Sequence, residues 1–270
     1  MMKLTQKDRS LIPSSYDIIG DILVFADFPK ELNKKESLVG EYFLAKHPNV
    51  KVIAKKTKNF SGKYRLPKLK VIAGEKRLET MYKENGIRLK FHLEKVYFSP
   101  RLSTERQRIN SLVKKGEDVL VMFSGSGVYP INIAKNTKAK SIIGIEANPS
   151  GHIYALENCV LNKVTNVGLI KGDVKKIIPT LKKKFDRILM PLPKGAENYL
   201  HLAFPLCKKN TVIHYYDFSS EHEFDLVREK LKSIFDHFKK KFEILQMVKC
   251  GQYAPRVYRV CVDVLIKSYH

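Results

Sequence analysis

Five short β-rich runs recur through the C-terminal two-thirds of the chain: DVLVMF (118–123), SIIGIEA (141–147), NVGLIKGD (166–173), FDRILM (185–190) and TVIHYYDF (211–218). The stretches between them, HIYALENCVLNK for example, space their apolar residues as helices do. Strand alternating with helix means βαβ units, and βαβ units make a parallel sheet covered on both faces. After residue 218 the pattern predicts a long amphipathic helix, EHEFDLVREKLKSIFDHFKKK. FEILQMVKC and VYRVCVDVLIK follow, joined by GQYAPR. A parallel crossover needs roughly a dozen residues or more, so this last pair must be antiparallel. The expected fold class is α/β: a Rossmann-like sheet, parallel with a terminal antiparallel hairpin.

Upstream the texture changes. YDIIGDILVFADF alternates like one strand, ELNKKESLVGEYFLAKHP has helical spacing, and VKVIAKKTKNFSGKYRLPKLKVIAG reads as strands joined by polar turns. These predict a small α+β domain over 1–95, its elements beginning near residue 14, ahead of a larger domain over 96–270. Fifty Lys+Arg against 27 Asp+Glu leave a formal charge of +23, which points to a polyanionic partner, nucleic acid first. Charge spread evenly over a lysine-rich chain is the alternative. The runs NKK, IAKKTKNF, LKKKF and FKKKF are dispersed, as on a basic surface rather than a tail. No stretch approaches the ~20 apolar residues of a spanning helix, and MMKLTQKDRS lacks an apolar export segment; a cytoplasmic protein without a membrane contact is expected. Cys159, Cys207, Cys250 and Cys261 lie far apart with no CxxC, the pattern of buried reduced thiols rather than a metal site.

The first strand-to-helix junction, VLVMFSGSGVYPINIA, carries Gly125 and Gly127. Glycine there lets backbone N–H groups approach a ligand at the C-terminal edge of the sheet. Pro130 occupies the third glycine position of a dinucleotide fingerprint and argues against that ligand. Glu146, followed by Ala147, ends the second strand, where a carboxylate can accept both hydroxyls of a ribose. Asp173, followed by Val174, closes the third, within reach of an adenine amino group. Each residue alone fits an ordinary strand end. Together, at successive strand ends, they form the S-adenosylmethionine arrangement.

The stretch AGEKRLETMYKENGIRLKFHLEKVYFSPRLSTERQRI (73–109) resembles the archaeal-type tRNA (guanine-N1)-methyltransferases, which modify guanosine 37, and their wyosine-pathway relatives. YDIIGD (16–21), SGKYR (61–65), MFSGSG, IEANP, LPKGA, VIHYY and YAPRVY extend the resemblance over nearly the whole chain. It implies a class I methyltransferase domain and a small RNA-binding domain. It implies that Arg65 stabilises charge on the guanine O6 and that Glu105 removes the N1 proton. Both roles make chemical sense, because N1 is a poor nucleophile until deprotonated and the resulting charge delocalises to O6. The resemblance places Tyr97, Arg101, Phe123, Gly125, Gly127, Glu146, Ala147, Asp173, Val174 and Pro191 around S-adenosylmethionine. Pro191, Pro193 and Lys194 would meet the target base. Each has a duller reading: a first-turn carboxylate suits the helix dipole, Arg65 is one basic residue among fifty, and Tyr97 and Phe123 suit a core.

Three departures accompany the resemblance. The sequence begins almost at the family's second domain, so weaker dependence on the outer corner of tRNA is expected. Pro191 stands where members have Asn, exchanging an amide for a carbonyl and a ring wall. Val121 stands where relatives often place Asp. The implied reaction is methyl transfer to N1 of guanosine 37, with C7 of 4-demethylwyosine as a second target, by a monomer acting on the anticodon stem-loop. Transfer of the cofactor's aminocarboxypropyl chain and a non-catalytic RNA-binding role are the alternatives.

Overall fold

The computed structural model describes residues 4–267 other than Pro193, and residues 59–61 by backbone alone. The chain divides into two units, Met1–Glu84 with Arg88–Pro100, and Asn85–Ile87 with Arg101–His270.

The first unit contains α1 (Gln6–Ser10), β1 (Tyr16–Ile19), β2 (Ile22–Phe25), α2 (Glu36–Lys46), β3 (Val52–Ser61), β4 (Leu66–Gly74), β5 (Glu79–Glu84) and most of β6 (Ile87–His92). Strands β1-β2-β3-β4 form one sheet in that order, with only the β2–β3 pair parallel. YDIIGDILVFADF is thus two strands, not one. Ile19 pairs with Ile22 across a two-residue turn in which Gly20 has φ +62°, a hairpin geometry that glycine allows without a steric cost. A Cβ at Gly20 would lie 2.2 Å from Thr80 Oγ1. Helix α2 covers the sheet, burying Val39 and Phe43 with Leu23, Phe25, Ile53 and Ile72. The β5–β6 hairpin turns at Asn85-Gly86, both at positive φ, the usual chemistry of a two-residue turn.

The second unit continues with α3 (Ser103–Leu112), β7 (Asp118–Met122), α4 (Val128–Asn136), β8 (Ser141–Glu146), α5 (Pro149–Asn162), β9 (Val167–Lys171), α6 (Val174–Ile177), β10 (Phe185–Met190), α7 (Leu200–Ala203), β11 (Cys207–Ser220), α8 (Phe224–His237), β12 (Phe242–Ala254) and β13 (Val257–Ile266). The five runs form the parallel part of a seven-stranded sheet ordered β12-β13-β11-β10-β7-β8-β9. The terminal pair is antiparallel, as its short connection requires. Alternate residues of the buried strands feed opposite layers. Val119, Val121 and Leu189 pack with Leu102 and Ile109 near or on α3 and with Tyr129 and Ile133 of α4. Leu120, Met122, Ile188 and Met190 pack with Val174, Leu200, Leu231 and Phe235 on the other side. Strand order reverses between β7 and β10, and a ligand crevice forms at such a switch point, outside the carboxyl ends of the strands.

Lysine is less dispersed than the sequence suggests. VKKGE, TKAK, LKKK and FKKK lead into strands and CKKN opens β11, all at the edge opposite the glycine loop. Lys183 and Lys208 pair there with Asp118, and Lys208 also with Asp186.

Candidate active site

At the C-terminal end of β7 the chain turns sharply. Phe123 takes φ +61°, Gly125 +57° and Gly127 +82°, and Gly127 is the residue from which α4 starts. A Cβ at Gly127 would lie 3.0 Å from Ile131 Cδ1 and 3.1 Å from Ala155 Cβ, so glycine is needed for packing as well as for φ. Glu146 closes the loop from β8. Its Oε2 accepts from Gly125 N (2.6 Å) and its Oε1 from Asn148 N (2.7 Å). Burial raises the Glu146 carboxyl above the usual range although backbone N–H groups at Asn148, Gly125 and Ala147 oppose the rise. Each oxygen keeps a further lone pair, which suits a ligand that brings hydroxyl donors. Ser126 Oγ and His152 Nδ1, on the loop and on α5, are buried without a hydrogen-bond partner among the described residues. These features fit the nucleoside of S-adenosylmethionine.

The third strand end is tied to the second, because Gly172 N donates to Glu146 O at 2.8 Å. Asp173 caps α6 by accepting from Lys175 N at 3.0 Å, and Val174 is buried beneath it. Phe123 meets Tyr199 edge-on at 5.1 Å, and Lys175 Nζ lies 5.2 Å from the Tyr199 ring centre. Tyr199 thus joins the sites at β7 and β9, and only its place in the loop after β10 could have signalled it. At that loop Leu192 N donates to Met190 O at 2.7 Å, a three-residue turn centred on Pro191. The fixed φ of proline suits the inverse form of this turn. Half-buried Pro191 and exposed Lys194 lie at this mouth; Pro193 lies outside the described residues. Val121, fully buried between Gly144 and Leu189, belongs to the core.

Glu105 stands in the first turn of α3 with its side chain 1% exposed. Its Oε1 accepts from Arg108 Nη2 (2.8 Å) and Tyr216 OH (2.7 Å), and its Oε2 from Arg108 Nε (2.7 Å). Arg108 Nη1 donates to Asp263 Oδ2 at 2.7 Å, and Asp263 Oδ1 meets His214 Nδ1 at 2.6 Å. His214 Nε2 lies 2.6 Å from Arg187 Nη1, and Arg187 is forked onto Glu117 at 2.8 and 3.0 Å. A guanidinium can only donate, so His214 is neutral, with its proton on Nδ1 and directed at Asp263. Burial depresses the His214 pKa, reinforced by Arg187 and Arg108. Burial alone would raise Asp263, but His214 and Arg108 hold it well below the usual carboxylate range. His214, Cys261 and Asp263 bring donor atoms within 4.8 Å of one another; with a guanidinium on each side, this trio is a junction of ion pairs.

The chain is matched by the TRM5/TYW2 methyltransferase domain over residues 80–245 and by the TYW2 N-terminal domain over residues 1–77. The chain belongs to the TRM5/TYW2 methyltransferase family. It is 39% identical to the tRNA (guanine(37)-N(1))-methyltransferase Trm5b of Pyrococcus abyssi, covering 97% of this chain and 78% of that protein. The crystal structure of that protein superposes with a TM-score of 0.88 at 38% identity, over 99% of this chain and 79% of the other. A tRNA (guanine(37)-N(1))/4-demethylwyosine(37)-methyltransferase, Taw22 of Nanoarchaeum equitans, is 35% identical over 93% of this chain and 99% of its own. P. horikoshii TYW2 in complex with MeSAdo superposes with a TM-score of 0.84 at 27% identity, over 98% and 96% of the two chains.

Within this family fold, the second unit brings together Phe123, Gly125, Gly127, Glu146, Ala147, Asp173 and Val174. Glu105 lies instead on α3, in the ion-pair chain. Exposed Arg101 sits in the short turn before α3, its carbonyl oxygen 3.7 Å from where a Gly251 Cβ would be. Arg65 and Tyr97 belong to the first unit. Arg65 takes φ +52° at the β3–β4 turn, its N–H donating to Gly62 O at 3.1 Å; Tyr97 is half-buried. A recess of about 810 Å³ also occurs in the first unit, lined by Ile18, Asp21, Arg77, Glu79, Met81 and Lys90 among others. Among its lining charges Arg77 pairs with Asp21, and with Glu75 beyond the recess, and Lys90 pairs with Glu79.

Proposed function

We propose that this chain transfers the methyl group of S-adenosylmethionine to N1 of guanosine 37 in tRNA. The observation that carries the reading is the joining of near-full-length similarity to Trm5b with a loop whose Gly125 N–H and Glu146 carboxylate are already bonded to each other. Glu146 would hold the ribose hydroxyls, Asp173 the adenine amino group, and Phe123, Ala147 and Val174 the faces of the base. Gly125 and Gly127 let the backbone come close, while Tyr97, Arg101 and Pro191 complete the enclosure. When bound, the cofactor supplies a methyl group already activated by a sulfonium. The protein's remaining tasks are alignment and proton removal.

Glu105 takes the N1 proton, and the electron pair of the broken N–H bond stays on the ring, from which it would form the bond to the methyl carbon as the methyl–sulfur bond breaks and its electron pair stays on sulfur. Arg65 stabilises the charge that delocalises to O6, in a setting where a fixed guanidinium needs no reorganisation. Pro191, Pro193 and Lys194 form the mouth that receives the base. The first unit is the RNA-binding domain, the anticodon stem-loop is the part of tRNA engaged, and the protein acts as a monomer. The net charge of +23 supports a phosphate-dominated contact.

C7 of 4-demethylwyosine is a second substrate on this reading. Pro191 fills the place of an amide with a closed three-residue turn, which relaxes the demand for a guanine edge, and the similarity to Taw22 agrees. The test is incubation with S-adenosylmethionine and either unmodified guanosine-37 tRNA or tRNA bearing 4-demethylwyosine, followed by nucleoside mass analysis. N1-methylguanosine is expected from the first. Absence of any modified guanosine, or an aminocarboxypropyl adduct, would refute the reading.

A further inference from the structure

A carboxylate used as a base must be ionised before the substrate proton reaches it, and burial opposes ionisation. Glu105 is buried beneath α3, yet a single residue one turn further along the same helix engages both of its oxygens. Arg108 reaches Oε2 through Nε and Oε1 through Nη2, the side-on fork that a guanidinium makes with a carboxylate. Tyr216 from β11 adds a second donor to Oε1 at 2.7 Å. Oε1 therefore carries two donors and Oε2 one.

Arg108 does not depend on Glu105 for its own place. Asp263 from β13 accepts from Nη1 and Nη2 at 2.7 and 3.3 Å, and Asp263 is itself held by Gln246 Nε2 (2.7 Å) and by His214. The guanidinium thus stays anchored when Glu105 becomes neutral. The other titratable groups close enough to Glu105 to feel its charge are Tyr129 on α4, whose hydroxyl bonds Tyr216 at 3.2 Å, and Cys261 on β13.

We propose that Arg108 is a positioning residue for the methyl transfer: it fixes the Glu105 carboxylate through two hydrogen bonds, and leaves the open lone pair on Oε2 as the proton acceptor. The inference rests on Glu105 being the base. In the transfer, the N1 proton passes to Oε2 and the N–H electron pair remains on the guanine ring, where it would form the N1–methyl bond as the methyl–sulfur bond breaks and its pair stays on sulfur as a neutral thioether; Arg108 keeps its bonds to Asp263 throughout.

The test is single-turnover methyl transfer at saturating cofactor and guanosine-37 tRNA, in Arg108→Gln, Arg108→Lys and Tyr216→Phe, beside the affinities for cofactor and tRNA and thermal melting. In Arg108→Gln the rate is expected to fall about tenfold or more while both affinities stay near wild type. Lysine keeps the charge without the fork and should give a partial rescue of the rate. A purely structural role would weaken cofactor and tRNA affinity along with the rate, and such a joint loss, with Glu105→Gln inactive, would overturn the role of Arg108 alone. An active Glu105→Gln would overturn the base itself. Where Arg108→Gln fails to fold, Arg108→Lys and Tyr216→Phe decide: each removes a donor geometry from the Glu105 carboxylate, and rates equal to wild type in both overturn the inference.

Discussion

Replacing Glu146 by Gln should separate cofactor binding from stability, because the two respond to opposite features of the same carboxylate. The side chain is placed chiefly by Gly125 N at 2.6 Å on one oxygen and Asn148 N at 2.7 Å on the other, with the Ala147 N–H beside them. Gln keeps one acceptor and turns an amide N–H₂ toward the other donor, a loss of about 1 kcal/mol for one neutral-scale hydrogen bond. Against this stands the raised carboxyl pKa, whose leading cause is burial. An acid with a raised folded pKa binds its proton more tightly folded than unfolded. Its contribution to stability therefore declines as pH rises through the ordinary carboxylate value toward the raised one. Gln removes that penalty, so unfolding free energy at neutral pH should stay within about 1 kcal/mol of wild type. Cofactor affinity has no such offset. Hydrogen bonds from ribose hydroxyls to a charged acceptor are worth about 1.5–3 kcal/mol each. Losing the charge and one acceptor should weaken binding by about 2–3 kcal/mol, or roughly 30- to 150-fold in Kd. Calorimetric titration with S-adenosylmethionine and urea unfolding of the same preparations measure both. An affinity within about threefold of wild type, with the fold intact, would remove Glu146 from the cofactor site.

Gly127→Ala adds a Cβ 3.0 Å from Ile131 Cδ1 at a backbone with φ +82°; overpacking and left-handed strain together should cost about 2–4 kcal/mol in urea unfolding. Acid sensitivity should come in two steps. The lowered pKa of His214 means its contribution is complete above the unfolded value of 6.5 and declines as pH falls below it, while Asp263 contributes above its unfolded value of 3.8 and is lost as pH falls through its depressed folded value. The pKa values of His92 and His152 are lowered as well, so His214→Asn should reduce the first step rather than remove it, making the fall of urea midpoints below pH 6.5 shallower; an unchanged slope there would show that His214 is charged in the fold. Pro191→Asn opens the three-residue turn and restores an amide, and should raise the preference for guanosine 37 over 4-demethylwyosine in competition assays. Neutralising Lys182, Lys184 and Lys209 at the strand-entering edge should slow tRNA association at low salt and leave it unchanged once screening is strong, as stopped-flow rates over a salt series would show.

The features legible in the sequence are those whose cause is local. The five-strand beat, the short GQYAPR link that forces an antiparallel pair, and Gly125, Glu146 and Asp173 at successive strand ends all follow from patterns a few residues wide. One local signal was there to be read and was overridden: Gly20-Asp21 makes YDIIGDILVFADF a hairpin, because a run that keeps its alternation across a two-residue turn looks like one longer strand. Asn85-Gly86 marked a second hairpin in a stretch read for its motifs alone. The surroundings of Glu105 had no such signal. Its position in the first turn of a helix is local, and on that ground alone it suits the helix dipole. Tyr216 and Asp263, which give it and Arg108 their partners, lie 111 residues after Glu105 and 155 residues after Arg108. They arrive only because β11 and β13 lie side by side with His214 opposite Asp263. A slip of one residue in that register would turn Asp263 to the other face of the sheet, leaving Arg108 with Glu105 alone. The orientation of the proposed base is therefore tied to the pairing of the C-terminal hairpin. Substitutions that disturb the β11–β13 register should slow methyl transfer at saturating cofactor before they change cofactor affinity.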